Sequence, residues 1–446
     1  MPARPDVWGP TRSTADDLAR KRYAAAGERA YVIGMLDGSF PPIGTRIRGE
    51  MGGLWAHPIK LLAGYWFALN GSWLPAAASF TSGAGYVQLR FPDQAGLAIT
   101  RTEFAPDGLT AVIIGLTLRN TAVEAQRVAL TMTLRSQLLC AYPWTESKPN
   151  TSEHNHHDRA TYRAENGHIS VRRDEQPWQA LIGSSIAPTR GSTGDHFWGP
   201  VPEEQRAQYS QSAYGTGAEL RCELLVQSGT EQTLWVAVAG AHTSEESAED
   251  ALRRALADPN GLLGEKIRER VALLAQTQLT VPDAQLSEAL RWATLNMADL
   301  RRSVTDVQIR DVNEGKDYPA PVGSLPALHG VGDGFSDYPF FYGAGSGYIV
   351  YPLVASGLWE AAAAHLRTLR DVSRAINGRT GKVVHEIISD GSVYLGNNDA
   401  PGDTNETALF ATAIDVLWRW SGDDALRDEM YDSSYCPAPR SLSRVC

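Results

Sequence analysis

The hydrophobic pattern of the chain changes near Ser244, and this change limits the fold more than any other feature of the sequence. Between residues 30 and 240, short segments rich in β-branched and aromatic residues are separated by turn sequences such as PDQAG and ENG. Such a pattern is typical of strands. About ten strands with little helix between them predict a large antiparallel β-sandwich.

Beyond Ser244 the apolar residues recur at helical spacing. Residues 244–282 predict two helices, interrupted by Pro-Asn-Gly at 259–261. After Pro282, apolar residues follow one another at steps of three and four and so form one face of a helix, with Asp283 as its N-cap. The residues of this face are Leu286, Leu290, Ala293, Met297 and Leu300.

The rest of the second half is predicted to be all-helical, with long connecting loops. We expect helices over roughly 346–356, 357–376 and 404–420, and loops at 305–345 and 377–403. Loops of this length between packed helices often carry a functional site. Trp359, Trp418 and Trp420 are expected to lie in the core of this helical half.

Composition excludes several classes of protein. A chain of 446 residues is long enough for two domains, and its net charge of −10 is spread without the basic face of a nucleic-acid binder. Four cysteines make no disulfide framework. No apolar run is long enough to span a membrane, and the N-terminus has no apolar signal core. We therefore expect a cytoplasmic protein with neither a nucleic-acid nor a membrane partner.

Two short motifs favour no cofactor or metal. The glycines of GAGSGY (343–348) are spaced G-x-G-x-G and lack the alternating strands and helices of a dinucleotide site. HNHHD (154–158) is interpreted as a solvated loop rather than a metal site, because no helix fixes its histidines on one face. The tail at 432–446 has no apolar period, and we interpret it as truncated or frame-shifted sequence.

The densest set of polar residues lies at 377–407. Carboxylates and amides on a loop suit sugar hydroxyls, and a pair of carboxylates can carry glycoside hydrolysis. The alternative is a solvated acidic loop in which Asp403 or Thr404 caps the next helix. The candidate residues are His385, Glu386, Asp390, Asn397, Asn398, Asp399, Asp403, Asn405 and Glu406.

A second candidate segment is DGFSDYPFFYG (333–343). It places two acids beside an aromatic run that includes Tyr338 and Phe341, next to Asp337. An aromatic platform beside carboxylates suits a sugar subsite, and packing in the core is the competing interpretation.

Four segments follow the predicted sandwich in a characteristic order: YPFFYG, GLWEAAAAHLRTL, GKVVHEI and GDTNETALF. In this order they resemble bacterial glycogen-debranching (amylo-α-1,6-glucosidase) proteins and, more broadly, the six-hairpin glycosidases, over roughly residues 30–430. The resemblance implies an N-terminal antiparallel β-supersandwich followed by an incomplete (α/α)6 barrel. The predicted regions are an extension (1–29), the β-sandwich domain (30–243), a helical linker (244–282), a partial (α/α)6 barrel (283–431) and an aberrant tail (432–446).

The resemblance also implies inverting acid/base hydrolysis of α-linked gluco-oligosaccharides. The substrate-binding residues implied by the resemblance are Asp337, Tyr338, Phe341, His385, Glu386, Asp403 and Glu406, and the polar loop at 377–407 adds Asn398 and Asp399 as predicted substrate-binding residues. Relatives often carry an aspartate at the position of Gly345, so the resemblance implies that this hydroxyl contact is missing here.

The sequence leaves the catalytic pair open. Glu386 and Glu406 are candidates, but in the family the acid and base come from later hairpins, which implies a truncated chain that could be inactive. A disaccharide phosphorylase and a non-catalytic carbohydrate-binding protein remain alternatives. The sequence does not indicate the oligomeric state.

Overall fold

The computed structural model describes residues 9–41, 52–140, 157–212, 215–279, 281–312, 320–335, 340–378, 381–394 and 404–430. The chain divides into two compact units, residues 1–272 and 273–446. None of the described helices is long and apolar enough to cross a membrane.

The described part of the first unit contains two large antiparallel sheets. One has the strand order β1-β7-β8-β9-β10-β17-β14-β13-β12 and the other β15-β16-β11-β5-β4-β3-β2, with β6 paired to β5, when strands are numbered along the chain. These strands are β1 (Arg12–Thr14), β2 (Arg22–Ala26), β3 (Ala30–Met35), β4 (Gly53–Ala56), β5 (Ile59–Leu69), β6 (Ser72–Trp73), β7 (Ser79–Gly83), β8 (Tyr86–Gln94), β9 (Leu97–Phe104), β10 (Ala111–Asn120), β11 (Gln126–Cys140), β12 (Asp158–Arg163), β13 (His168–Arg173), β14 (Gln176–Ser184), β15 (Arg190–Thr193), β16 (Gly217–Val226) and β17 (Glu231–Ala241).

The two sheets share one hydrophobic core, so the predicted antiparallel sandwich is confirmed. Leu116 and Leu118 of β10 pack in the same cluster as Leu130 and Met132 of β11, in the other sheet. Alternate residues of β10 and β11 supply this core, which is the period-2 pattern expected of strands that bury one face. The segments that form β1 and β2, which the sequence places before the sandwich, belong to its sheets.

A buried carboxylate lies inside this core with both of its oxygens hydrogen-bonded. Glu103 is fully buried; its oxygens accept hydrogen bonds from Tyr23 Oη at 2.6 Å and Tyr65 Oη at 2.5 Å. Arg101 Nε lies 2.7 Å from the same carboxylate. A buried charge is tolerated when it is paired and hydrogen-bonded in this way.

Three α-helices also begin within the described part of this unit: α1 (Glu203–Ser212), α2 (Glu245–Ala257) and α3 (Pro259–Gln276). α2 buries Ala248, Leu252 and Ala255 in one cluster with Leu181 and Trp235 of the first sheet. α3 is attached through buried charges, since Lys266 Nζ and Arg270 Nη1 each lie 2.9 Å from the Asp107 carboxylate.

Asp158, the last residue of the HNHHD motif, is 6% exposed at the start of β12. Its Oδ2 accepts hydrogen bonds from Ser136 Oγ at 2.7 Å and from the Leu138 N–H at 3.0 Å. Burial raises the pKa of Asp158 to about 7, against the opposing effect of these hydrogen bonds and of Arg173 and Arg135. The motif therefore contributes a core carboxyl group that is protonated more readily in the folded chain than in the unfolded chain.

This environment predicts that the first unit loses stability as the pH rises. Between about pH 4 and pH 7 the folded state holds a proton on Asp158 that the unfolded chain has released, so this contribution is complete below the window and is lost as the pH passes through it. We expect the free energy of unfolding of the first unit to fall by roughly 1–3 kcal/mol from pH 5 to pH 8 in the wild type. Thermal melts across this pH range measure the decrease.

The control for this titration is Asp158→Asn, whose amide side chain does not titrate. Its decrease in stability over the same pH range should be smaller than that of the wild type. Equal pH slopes in the two proteins would contradict the assignment of the titration to Asp158.

The second unit combines helices with a small sheet. The sheet order is β19-β18-β22-β21-β20, with β18 and β22 parallel. The elements of this unit are α4 (Ala284–Asp299), β18 (Arg301–Val312), β19 (Gly323–Val331), β20 (Phe341–Tyr342), α5 (Gly343–Ala355), α6 (Trp359–Asn377), β21 (Glu386–Ile387), β22 (Ser392–Tyr394), α7 (Thr404–Ser421) and α8 (Asp424–Met430).

The all-helical expectation for this half is wrong where β18 and β19 pair. From sequence, most of this stretch is assigned to a loop, but buried Val307 and Ile309 alternate with exposed Gln308 and so form a half-buried strand. The helices α4 to α8 within the described residues are too few to close a barrel of six helical hairpins, so a partial (α/α)6 barrel stays a proposal.

The predicted helix after Pro282 is confirmed. Asp283 Oδ1 accepts hydrogen bonds from the N–H groups of Gln285 at 2.8 Å and Leu286 at 3.1 Å, as an N-cap does. The apolar face of this helix is only partly covered in the described structure, since Leu286 is 49% exposed.

The three tryptophans expected in the core of this half are not all there. Trp359 is 43% exposed and Trp420 is 56% exposed. Trp418 is partly buried, and its Nε1–H donates to Asp424 Oδ1 at 2.9 Å. Their helical spacing could not show which side of α6 or α7 packs inward.

Candidate functional site

Short strands bring the two candidate segments of the sequence together. β20 pairs with β21 in antiparallel fashion, which places Tyr342 directly opposite Glu386. The Tyr342 hydroxyl donates a hydrogen bond to Glu386 Oε1 at 3.1 Å. One residue of the aromatic segment and one of the acidic segment are therefore in direct contact.

His385 and Glu406 form the second pair of the site. His385 Nδ1 lies 2.7 Å from Glu406 Oε1, and the side chains are 29% and 2% exposed, respectively. The Tyr342 ring meets the His385 ring edge-on, with centroids 6.0 Å apart. We call Tyr342, His385, Glu386 and Glu406 the Tyr342 cluster.

The Glu406 carboxylate is only half satisfied. Its Oε2 atom is buried and finds no hydrogen-bond partner within the described residues. An unsatisfied buried acceptor costs about 1–3 kcal/mol, and a functional role is one of the explanations for such a group in a native structure. The arrangement leaves a carboxylate oxygen with unused acceptor capacity inside the cluster.

Gly343, the first residue of α5, permits this close packing. Its N–H donates to the His385 carbonyl oxygen at 2.7 Å. A Cβ at this position would lie 2.2 Å from the Val384 carbonyl oxygen and 2.7 Å from Glu406 Cγ. Because the first of these atoms belongs to the backbone, no side chain fits at residue 343 without moving the segment that precedes β21 away from α5.

A buried histidine supports the backbone of the cluster. His365 of α6 accepts a hydrogen bond at Nδ1 from the Val331 N–H at 3.2 Å, so its proton is on Nε2 and faces Ser346 Oγ at 3.2 Å. Ser346 Oγ in turn donates to the Tyr342 carbonyl oxygen at 2.9 Å. This chain of hydrogen bonds fixes the backbone at Tyr342.

His365 and Ser346 are not among the residues selected from sequence. A single histidine and a single serine on apolar helices carry no sequence pattern that sets them apart from ordinary core positions. Burial lowers the pKa of His365 to about 4, so the ring is neutral at pH 7. It therefore serves as a positioning group with a fixed tautomer.

Several predicted site residues lie outside the described residues: Asp337, Tyr338, Asn397, Asn398, Asp399 and Asp403. Phe341 is described and is fully buried, with its ring edge-on to His365 at 5.9 Å between centroids. Phe341 thus packs in the core behind the cluster, and the adjacent Tyr342 presents its hydroxyl to the site instead. Strand alternation explains the difference, because neighbouring side chains point to opposite faces.

Asp390 and Asn405 have different surroundings from the cluster. Asp390 is buried, and its Oδ1 accepts from the Ser392 N–H at 2.9 Å in the turn between β21 and β22. Asn405 is exposed at the start of α7. Asp390 therefore stabilises the turn between β21 and β22. Its sequence context alone does not distinguish this structural role from sugar binding.

Charge in the two segments is of one sign. Residues 333–351 and 383–407 contain no Lys or Arg. Their acidic residues are Asp333, Asp337, Glu386, Asp390, Asp399, Asp403 and Glu406. Segments of this charge favour neutral or cationic ligands over anions.

Comparison with solved structures finds several proteins whose fold is similar to that of this chain. The chain is similar to a protein assigned as a kojibiose phosphorylase from the human microbiome, with a TM-score of 0.53 and 10% identity over 92% of this chain and 55% of that one. It is also similar to a bacterial glucoamylase complexed with acarbose, with a TM-score of 0.51 and 12% identity over 95% of this chain and 58% of that one.

A third similar structure is a family GH92 inverting mannosidase from Bacteroides thetaiotaomicron, with a TM-score of 0.50 and 12% identity over 94% of this chain and 53% of that one. This chain therefore spans little more than half the length of these structures. At 10–12% identity, the likeness shows a shared fold.

No protein-family model matches the chain, and no curated protein matches it significantly in sequence.

The environment of His365 predicts that the second unit loses stability as the pH falls. Between about pH 6.5 and pH 4 the unfolded chain binds a proton that the buried ring excludes, so the free energy of unfolding should drop by roughly 1–3 kcal/mol on going from pH 7 to pH 4.5. His365→Gln cannot titrate and should show a smaller drop. Chemical denaturation at several pH values measures both slopes, and identical slopes would exclude His365 as the titrating group.

Proposed function

We propose that this chain is part of a protein that acts on α-linked gluco-oligosaccharides by inverting acid/base hydrolysis, in the manner of glycogen-debranching and glucoamylase-like enzymes. The observation that carries the proposal is the Tyr342 cluster. It joins two candidate carboxylates, an imidazole and a phenol on one surface of a glycosidase-like fold.

The cluster has the chemistry that sugar recognition needs. Carboxylate oxygens accept hydrogen bonds from sugar hydroxyls, and a charged acceptor makes a stronger bond than a neutral one. The Tyr342 ring supplies an apolar surface beside its hydroxyl, and such amphipathic groups suit a pyranose, which has both C–H and O–H faces. A neutral oligosaccharide also suits the absence of Lys and Arg from residues 333–351 and 383–407.

The two glutamates of the cluster are suited to different tasks. Glu406 is 2% exposed and paired with His385, which favours a role in positioning that ring. Glu386 is half-buried and hydrogen-bonded to Tyr342, which favours direct contact with sugar. Inversion requires a general acid and a general base whose carboxyl groups lie about 6.5–9.5 Å apart across the glycosidic bond. We propose Glu386 as the candidate for one of these two groups.

A disaccharide phosphorylase is the second candidate, because one of the similar structures is assigned to that activity. A phosphorylase binds inorganic phosphate as its nucleophile, and phosphate sites in proteins are typically lined by arginine, lysine or backbone N–H groups. The acidic segments around the Tyr342 cluster do not favour phosphate. Hydrolysis is therefore the preferred proposal.

Replacing Glu386 tests the site. We expect Glu386→Gln to weaken the binding of maltotriose by about 10- to 100-fold, because a hydrogen bond to a charged group contributes about 1.5–3 kcal/mol. Isothermal titration calorimetry measures the dissociation constant. Glu360→Gln is the matched control, since Glu360 is an exposed glutamate in the first turn of α6. Its binding should equal that of the wild type.

Asp403→Ala extends the same experiment to a predicted contact outside the described residues, and we expect it to weaken binding with little change in melting temperature. Unchanged binding in Glu386→Gln would refute the sugar site.

Incubating the protein and oligosaccharide with and without phosphate distinguishes hydrolysis from phosphorolysis, because phosphate-dependent release of a sugar phosphate would favour the phosphorylase. Binding without turnover would favour a non-catalytic carbohydrate-binding protein.

A further inference from the structure

Gly345 lies in the first turn of α5, and the carboxylate of Asp333 occupies the space beside it. A Cβ built on Gly345 would lie 2.7 Å from Asp333 Oδ1 and 2.9 Å from Oδ2. These separations are too short for two non-bonded atoms, so the carboxylate takes the place of a side chain at residue 345. The two residues are separate in the sequence, and only the fold brings them into contact.

Hydrogen bonds fix the backbone around Asp333, but within the described residues none fixes its carboxylate. The Asp333 N–H donates to the Phe340 carbonyl oxygen at 3.2 Å, and the preceding Gly332 N–H donates to the Leu300 carbonyl oxygen at 3.0 Å. No group within the described residues donates a hydrogen bond to the Asp333 carboxyl oxygens. Although the residue is exposed, partial desolvation raises the pKa of its carboxyl group to about 6.

This carboxylate borders the Tyr342 cluster. The same Cβ on Gly345 would lie 3.1 Å from Tyr342 Cβ, so Asp333 and Tyr342 meet on one side of the α5 turn. Glu406 packs against Gly343 in that turn, and its buried Oε2 has no partner among the described residues. Two carboxylates with unused acceptor capacity therefore flank the first turn of α5.

We propose that Asp333 is a specificity-determining residue of the sugar site, where its carboxylate accepts hydrogen bonds from hydroxyl groups of the bound sugar beside Tyr342. The inference rests on the proposed function and adds Asp333, one of the two acids of the candidate segment at 333–343, to the substrate-binding residues that the resemblance implies. Gly345 is the other half of the arrangement, because a side chain there would displace the carboxylate.

Removing the carboxylate from residue 333 and introducing one at residue 345 tests this role. We expect Asp333→Ala to weaken maltotriose binding by about 10-fold or more, since it removes a charged acceptor. The double variant Asp333→Ala with Gly345→Asp should recover part of this loss. In an aspartate at position 345, the distance from Cβ to the carboxylate oxygens would be close to the distance that now separates a Cβ on Gly345 from the Asp333 oxygens. The new carboxylate would therefore lie near the position of the old one. An acid in the first turn of a helix is also favourable for the helix.

Two glycine variants provide the matched comparison. Gly345→Ala should weaken binding because its methyl group pushes the Asp333 carboxylate aside, and the flexible end of that side chain can move with little cost in stability. Gly334→Ala should leave binding unchanged, because nothing lies within 4 Å of a Cβ at that position. Thermal melts of all variants identify any that fail to fold.

A series of maltotriose analogues that each lack one hydroxyl group provides a readout that a merely structural residue would not affect. The analogue that lacks the contacted hydroxyl should bind the wild type weakly and should lose no further affinity in Asp333→Ala. The inference is overturned if Asp333→Ala binds maltotriose like the wild type, or if every analogue loses affinity equally in the variant. Failure of the wild type itself to bind any oligosaccharide would instead refute the proposed function.

Discussion

The hydrogen bond from the Gly343 N–H to the His385 carbonyl oxygen, 2.7 Å long, is the contact on which the candidate site depends. It joins the first residue of α5 to the residue that precedes β21, so an aromatic segment and an acidic segment far apart in the chain become neighbours. The bond is possible only because residue 343 lacks a side chain, as the Val384 carbonyl oxygen would otherwise be 2.2 Å from its Cβ. The same space admits the stem of Glu406, which then reaches His385.

Two buried glutamates in this chain show how a structural carboxylate differs from a functional candidate. Glu103 in the sandwich core has Tyr23, Tyr65 and Arg101 around it, and both of its oxygens are hydrogen-bonded. Glu406 pairs one oxygen with His385 and leaves the other without a partner in the described structure. The satisfied carboxylate of Glu103 rigidifies the core around it, whereas the unpaired oxygen of Glu406 is a candidate acceptor in the proposed sugar site.

Local patterns in the sequence predicted much of the fold. Strand-like alternation predicted the sandwich, and helical spacing with an acidic cap predicted α4 and Asp283. The prediction failed for β18, because its alternation lies beside polar and glycine-rich sequence that indicates a loop. Among site residues, the sequence selected His385, Glu386 and Glu406, which the structure brings together with Tyr342. It also selected Phe341, whose ring faces the core because adjacent strand residues point in opposite directions.

Periodicity and composition are local properties, and they were enough to establish the two-part organisation of the chain and the acidic character of the segments at 333–351 and 383–407. Which acids meet depends on the packing of distant elements. Asp333 lies against Gly345, and Glu406 against Gly343, because the segment that follows β19 and the helix α7 both meet the first turn of α5. His365 likewise supports Tyr342 through Ser346 from another helix. No spacing along the chain encodes these contacts, because each joins elements that only the folded backbone brings together.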